Sequence, residues 1–404
     1  MIKQSVFYKF LNRREGVDFS GYLQSAEEDE DYISWNQFVL PNDYGDTKLE
    51  YQAIRHSCAL FDVSPMRKYQ VRGKSAGAFL DYLLTRSVSD AESMQGIYVA
   101  YCNEDGSLKD DSILYKFSDE DYLLMPSDMD HSAHFESLCK KLSLDDLSIV
   151  DCTDAFAGMA IQGPLSATVL KHMGFEGIEL LEPFRVKDYQ LGDDPANNLI
   201  RIARMGFTAD LGYECWMDRD LSTAFEQRIS SARKSLDIEL PGYGLTALEV
   251  CRLEGGFMVA GWDCATEADP QPGFERSPFE LAIGWLVNLH AADFVGREAL
   301  IKEKQEGGRY VRRSFTMNSK TKPDDAAEIW ALIDSEEIPI GSVNCSSWSW
   351  DMERTIGNAS IRRQHMHITQ AWLVDSSQRQ EIELCRGPLL KLERQSKVPA
   401  DIID

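Results

Sequence analysis

The period of apolar and polar positions changes several times along the chain, and each change predicts an element. Leu49 to Leu60 carries apolar residues at helical spacing. Lys68 to Arg72 alternates as a strand does, and Gly73 ends it. From Ser75 to Leu84, residues Ala76, Phe79, Leu80, Leu83 and Leu84 fall on one helical face, with Ser75 placed to cap it. Strand patterns follow over Gly96–Cys102, Asp111–Phe117 and Asp121–Met125, separated by the turns Asn103–Gly106 and Ser118–Glu120, a meander of hairpins. His131 to Leu142 returns to helical spacing. After residue 150 the order repeats loosely: a strand over Ala157–Ile161, a helix over Leu165–His172, strands up to Trp216 and a helix over Leu221–Leu236.

This order predicts an α+β fold, not the strict alternation of a doubly wound parallel sheet. A polar hinge is expected near Lys302–Tyr310. Beyond it, short strands such as Ile338–Val343 and Ala371–Val374 predict a small all-β unit of barrel type. The expected divisions are 1–150 and 151–305 for two halves of a body, and 306–404 for the barrel. A chain of 404 residues, with 18 Phe, 15 Tyr and 8 Trp to build cores, is long enough for these units.

Composition then removes some functions. With 42 Lys and Arg against 66 Asp and Glu, the net charge of -24 repels phosphate backbones and anionic membrane surfaces, so no nucleic acid and no membrane is expected as partner. The first residues lack an apolar core of signal-peptide length, and no window approaches a spanning helix, which makes the cytoplasm the expected compartment. Nine scattered cysteines without a C-x-x-C pair read as reduced, mostly buried thiols. The acidic run Glu27–Asp31 reads as a solvated loop. No phosphate loop, dinucleotide glycine motif or H-E-x-x-H is present. His365 and His367 read as loop residues and not as ligands, so no metal is expected.

The chemically interesting stretch is Asn103 to Asp111. Gly106 allows a sharp reversal, and Asp110 and Asp111 enter the next strand, where neighbours point to opposite faces. On physics alone such a pair serves turn chemistry more often than catalysis.

Several segments together resemble the glycine-cleavage T-protein (aminomethyltransferase) family. They are Arg55 before Phe61-Asp62-Val63-Ser64, the Asn103–Asp111 turn, Gln162-Gly163-Pro164, Gly206-Phe207-Thr208 with Gly212-Tyr213-Glu214, Arg252-Leu253-Glu254, and Phe294 to Leu300. The resemblance implies two related folate-binding α/β halves followed by a small C-terminal β-barrel, and an enzyme that uses tetrahydrofolate. It implies Asp110 as the essential acid beside the reacting nitrogens, Tyr98 as a ring against the pterin, Glu214 as the carboxylate on the pterin edge, and Arg252 as a cation near the folate. Phe207 takes the place of a family Tyr in the same pocket. A pterin is flat, with a face suited to an aromatic ring and edge donors suited to a carboxylate. The structural alternative makes Tyr98 a core residue and leaves Arg252 and Glu254 as surface charges in weak ion pairs.

Departures from the family pattern bear on the donor. Leu248 stands where an Arg is usual. The C-terminal Pro388–Lys391 segment lacks an Arg in register, with Arg394 nearby. Trp35 to Pro41 is more similar to the dimethylsulfoniopropionate demethylase branch. The expected function is therefore transfer of a methyl group from a small sulfonium, ammonium or ether substrate to tetrahydrofolate. Aromatics such as Trp35, Phe38 and Tyr44 are candidates to face a cationic donor. The alternatives are an aminomethyltransferase with a lipoyl carrier protein as partner, and a non-catalytic folate-binding regulator.

Overall fold

The computed structural model describes residues 3–11, 32–127, 129–192, 198–324, 326–374 and 379–401; the acidic run at 27–31 lies outside them. In chain order the elements begin with α1 (Tyr8–Leu11), the hairpin β1 (Tyr32–Trp35) and β2 (Phe38–Pro41), α2 (Thr47–His56) and β3 (Ala59–Asp62). Next come β4 (Tyr69–Arg72), α3 (Ala76–Leu83), β5 (Gln95–Cys102), β6 (Leu108–Ser118), β7 (Asp121–Pro126), α4 (Ser132–Leu142) and β8 (Ser148–Asp151). The same plan recurs as β9 (Phe156–Gln162), α5 (Ser166–His172), β10 (Val186–Gln190), β11 (Leu199–Ala203), β12 (Gly212–Asp218) and α6 (Ser222–Leu236), followed by α7 (Leu245–Glu254) and α8 (Arg297–Glu306).

Two antiparallel five-stranded sheets result, ordered β5-β6-β7-β4-β8 and β10-β11-β12-β9-β3. Their orders correspond strand for strand, except that β3, from before the first sheet, fills in the second the place that β8 fills in the first. The halves are thus related, as the pattern predicts, but the second sheet borrows its edge strand from early in the chain. The barrel closes through β13 (Tyr310–Met317), β14 (Glu328–Ile333), β15 (Glu336–Ser349), β16 (Arg354–Arg362), β17 (Gln370–Val374) and β18 (Arg379–Cys385), with α9 (Glu393–Ser396) after it.

Alternation along the strands decides what lies between the layers. On β6, Leu114 packs against α3 and α4, whereas Ile113, Tyr115 and Phe117 face the other way. On β12, Tyr213, Cys215 and Met217 face the core under α5 and α6, while Trp216 faces back. The residues that face back from both sheets share one cluster with Tyr51, Ile54, Val250 and Cys251 of α2 and α7. The sheets therefore enclose a common inner layer.

Several expectations need correction. The helix expected to reach Leu60 ends at His56, because the buried run Ala59–Asp62 pairs with β9 as a strand. Ser75 precedes α3 but its side chain makes no capping bond. Strand β6 starts at Leu108, three residues before the expected start, so Asp110 lies inside the ladder, opposite Tyr101. The expected hinge at 302–310 is the end of α8 followed by Gly307 and Gly308, with β13 starting at Tyr310. His365 is buried, not exposed, while His367 is exposed. Arg252 and Glu254, read as surface charges under the structural alternative, are 1% and 0% exposed. The nine cysteines are free and six are buried, as their scatter predicts.

Candidate active site

The family-like motifs meet around buried polar groups, and many of them serve the fold. Arg55 of α2 donates from Nε and Nη2 to Glu254 (3.0 and 2.6 Å), and from Nη1 to Asp210 (3.1 Å) and the Thr208 carbonyl (2.8 Å). Glu254 also accepts from Tyr51 and Ser349, and Asp210 accepts from Arg394. This network ties α2, α7, the loop before β12, the barrel and the C-terminal segment. Gly206 and Gly212 bracket that loop; a side chain at either would begin 2.1 Å from the Gln162 amide oxygen and would displace that buried amide.

The carboxyl pair on β6 divides as neighbours on a strand must. Asp110 points toward the helix layer and is fully buried. Its Oδ2 accepts from Ser127 (2.8 Å), His131 Nε2 (2.8 Å) and Tyr101 (3.4 Å), and its Oδ1 accepts from the Asp111 amide (2.9 Å). Asp111 shares its face with Ile113 and Tyr115, the face of the inner layer, and accepts from the Tyr98 hydroxyl at 2.8 Å. The expected reactive carboxyl, Asp110, therefore faces away from that layer, and its neighbour faces into it. Burial, and next the charge of Asp110, push the Asp111 carboxyl up to about 7.

Glu214 projects from β12 into the same layer and is 8% exposed. It accepts from the Tyr115 hydroxyl at 3.3 Å, and Tyr115 also reaches the Met205 sulfur at 2.7 Å. Burial pushes Glu214 up to about 7 against the hydrogen bonds of Tyr115 and Trp216 and the charge of Lys68. Lys68 is fully buried; its Nζ donates to the Ser64 (2.9 Å) and Met66 (2.5 Å) carbonyls and lies 4.9 Å from the Trp216 ring centroid. Burial pulls its amine down to about 7. The Trp216 Nε1 is buried on the same face of β12 as Glu214 and acts on its carboxyl. Asp111 and Tyr115 are four residues apart on one strand, so about 13 Å separates them. A cavity of about 270 Å³ opens at one rim of the layer, lined by Tyr115, Leu123, Val186, Ala203 and Trp216 but not by Glu214 or Asp111.

The other expected residues fall as follows. Tyr98 is half-buried, with its ring 5.9 Å from that of Trp285. Arg252 has all five donors engaged within the protein: Glu249 twice, Asp263, the Phe257 carbonyl and the Cys345 sulfur. Phe207 lies 5.3 Å from Phe257, ring to tilted ring, and is partly exposed at the start of the glycine loop. Phe38 is covered by Lys3 at 4.2 Å, and Tyr44 packs against Gly242, whereas Trp35 borders the inner layer. Sequence reasoning missed His131, Tyr115 and Lys68. Neither Lys68, which falls with Gln70 and Arg72 on the polar side of the alternation just before β4, nor His131, 21 residues from Asp110, left a local signal. No cluster of three metal-ligating side chains occurs among the described residues, and no helix among them is long and apolar enough to cross a membrane.

Comparison with known proteins gives a consistent result. The family model described as the GCVT N-terminal domain matches residues 25–291, about two thirds of the chain. An aminomethyltransferase of Caldanaerobacter subterraneus is 28% identical over 338 residues, covering 84% of this chain and 85% of that protein. An aminomethyltransferase of Alkaliphilus oremlandii is 28% identical over 362 residues, covering 89% of each. In structure, the glycine cleavage system aminomethyltransferase T of Bartonella henselae superposes with a TM-score of 0.78 at 20% identity, over 98% of this chain and all of that one.

Proposed function

Because the chain belongs to the family of the GCVT N-terminal domain, a tetrahydrofolate-dependent transferase, we propose that it moves an aminomethyl-derived one-carbon unit to tetrahydrofolate in the layer between its two sheets. One observation carries the reading. Two carboxyls, Asp111 and Glu214, are held near neutral pKa on the inner faces of opposite sheets, and Tyr115 joins the strand of one to the side chain of the other. Strongly shifted carboxyls facing one space mark a reaction site.

The residues fit a pterin. Glu214 is a buried carboxyl with Tyr115 and Trp216 as its side-chain neighbours, an acceptor suited to the edge N–H groups of a pterin. Tyr98 and Tyr115 supply faces for a flat ring. Tetrahydrofolate supplies the nucleophilic nitrogen. Glu214 and Tyr115 would orient the bound ring; as the new carbon–nitrogen bond forms, the donor carbon's bond to the lipoyl sulfur breaks with its electron pair leaving on sulfur, and Asp111, at the far end of the strand, takes the proton that the attacking nitrogen gives up. Asp110 does not touch this space; held by Ser127, Tyr101 and His131, it keeps a charge behind Asp111 and fixes the strand. Arg252, with every donor engaged, builds the wall beside Asp263. The donor in this reading is an aminomethyl group on a lipoyl carrier protein.

A second reading, transfer from a small methylated sulfonium, ammonium or ether substrate, draws on Trp35, whose ring borders the inner layer where a cation could lie against it. The test of the folate site is equilibrium binding of tetrahydrofolate to the wild type and to Glu214→Gln. The variant should bind about 5- to 100-fold more weakly, as a charge-assisted bond becomes a neutral one. Equal affinity would remove Glu214 from the site.

A further inference from the structure

Arginines gather at one end of the barrel, away from the layer between the sheets. Tyr310, the first residue of β13, stands opposite Arg362, the last of β16. The Arg363 amide donates to the Arg309 carbonyl at 2.9 Å, which sets those two residues beside that pair. A cleft of about 850 Å³ opens there, and Arg309, Tyr310, Arg362, Arg363, Met366 and Gly273 line it. Arg276 lies behind Tyr310, with its guanidinium 4.1 Å from the ring centroid. It is 4% exposed, its Nη1 donates to the Gly273 and Glu275 carbonyls (2.9 Å each), and its Nε is buried without a partner among the described residues. Arg313 donates to the Met366 carbonyl.

The charges around the cleft do not balance. Glu280 pairs with Arg309 at 3.3 Å but also accepts from the amides of Arg309 and Tyr310, at 2.7 and 3.0 Å. Glu275 accepts from the Gly273 amide (2.9 Å) and Glu303 from the Ser277 hydroxyl (2.7 Å). These carboxylates stand against Arg276, Arg309, Arg313, Arg362 and Arg363. Arg362 donates from Nη1 to the Pro339 carbonyl at 3.3 Å, and neither it nor Arg363 has a carboxylate within 4.0 Å among the described residues. The excess is felt at His365, whose imidazole is held below its usual value by burial and then by the charge of Arg362.

Guanidinium forks match the oxygens of phosphate groups two at a time. The cleft volume lies within the rough 300–1,000 Å³ of small-molecule pockets. In a chain of net charge -24, an extended polyanion meets repulsion beyond the cleft, whereas a small one is held inside it. Neither Asp111 nor Glu214 lines the cleft. It is joined to the reaction strand through the Leu108 amide, which donates to the Arg276 carbonyl at 2.7 Å.

We propose that this cleft is a second ligand site, separate from the folate layer, and that it takes a small molecule carrying a pyrophosphate-type polyanion on Arg309, Arg362 and Arg363. Calorimetry with pyrophosphate as the probe, at about 150 mM salt, tests it on the wild type, the double variant Arg362→Gln/Arg363→Gln and Arg72→Gln. Arg72, exposed on β4 and paired with Asp121, is the control for charge alone. Arg362 and Arg363 are exposed, so their replacement leaves the core intact, and thermal melts verify it.

The wild type should bind one pyrophosphate with a dissociation constant below about 1 mM, and the double variant at least about tenfold more weakly. Arg72→Gln should bind it as the wild type does, and saturating tetrahydrofolate should leave the affinity within about threefold. Absence of binding at about 10 mM pyrophosphate overturns the proposal. An equal loss in Arg72→Gln also overturns it, because the attraction would then belong to surface charge at large. Competition between pyrophosphate and tetrahydrofolate would place the anion in the folate layer and overturn it as well. So would a double variant that binds pyrophosphate normally but binds triglutamyl tetrahydrofolate more weakly, which would give the arginines to a folate tail.

Discussion

Replacing Glu214 by Gln should stabilise the ligand-free protein at alkaline pH and leave it unchanged in acid. Glu214 has a folded-state pKa of about 7 against an ordinary value of 4.5, raised chiefly by burial. A raised carboxyl binds its proton more tightly in the folded state. Its contribution to stability is fully present below pH 4.5 and is lost as the pH rises through 7. The gap is between two and three pH units, at about 1.4 kcal/mol each, or about 3 kcal/mol of stability lost by pH 8. Gln has the same shape and no charge to bury, so the variant avoids that loss. With an unfolding entropy of roughly 2 cal/mol/K per residue, its melting temperature should exceed the wild type's by about 3 to 4 °C at pH 8, and by about 1 °C at pH 5. Thermal melts and urea unfolding of the ligand-free proteins at both values measure this. The same substitution weakens folate binding, so the gain in stability comes with a loss of function. An equal offset at pH 5 and pH 8, or a variant less stable at pH 8, would refute the claim that Glu214 is a buried carboxyl with a strained charge.

Lys68 should show the opposite dependence. Its folded-state pKa is lowered to about 7, so its contribution is present above pH 10.5 and lost as the pH falls through 7; Lys68→Met should gain stability relative to the wild type at pH 5.5 but not at pH 10.5 in urea titrations. Arg55→Met strips two buried carboxylates, Glu254 and Asp210, of their shared cation, and should destabilise by about 3–5 kcal/mol in urea unfolding. His131→Ala removes one of three side-chain donors to Asp110 and should cost about 1–3 kcal/mol of stability, while calorimetry finds tetrahydrofolate affinity nearly unchanged.

The sequence-based reading succeeds where the local pattern is dictated by one layer of packing. The strand β6, the helices α3 and α6 and the strands of the barrel all alternate or repeat with a clear buried face, so period alone marks them. It misses β3 because a four-residue strand buried on both faces, directly after a helix, continues the apolar run without a change of period. That β3 completes the second sheet is a tertiary fact with no local trace. The site is legible to a similar degree. The turn at Asn103–Asp111 stands out by residue type and by resemblance, and Tyr98 and Glu214 by resemblance alone, but the facing of Asp110 and Asp111 depends on where the ladder begins, which a polar start conceals. Arg252 and Glu254 look like surface charges because their partners come from distant segments: Asp263 and Cys345 for one, Arg55, Tyr51 and Ser349 for the other. Long-range ion pairing leaves no periodic signature.

The account turns on which carboxyl of β6 meets the folate. Single-turnover transfer at saturating tetrahydrofolate, from an aminomethyl-loaded lipoyl carrier protein, decides it with the isosteric variants Asp111→Asn and Asp110→Asn over pH 5.5 to 9. Asp111→Asn should lower the rate by about a hundredfold or more, the scale for losing a positioned proton acceptor, while melting at or above the wild-type temperature at pH 8. Asp110→Asn should keep the rate at pH 8 within about tenfold and move the acid limb of the profile to lower pH, because the charge that helps raise the Asp111 carboxyl is gone. Full activity in Asp111→Asn, with turnover lost in Asp110→Asn, would contradict the assignment of the inner layer as the reaction site.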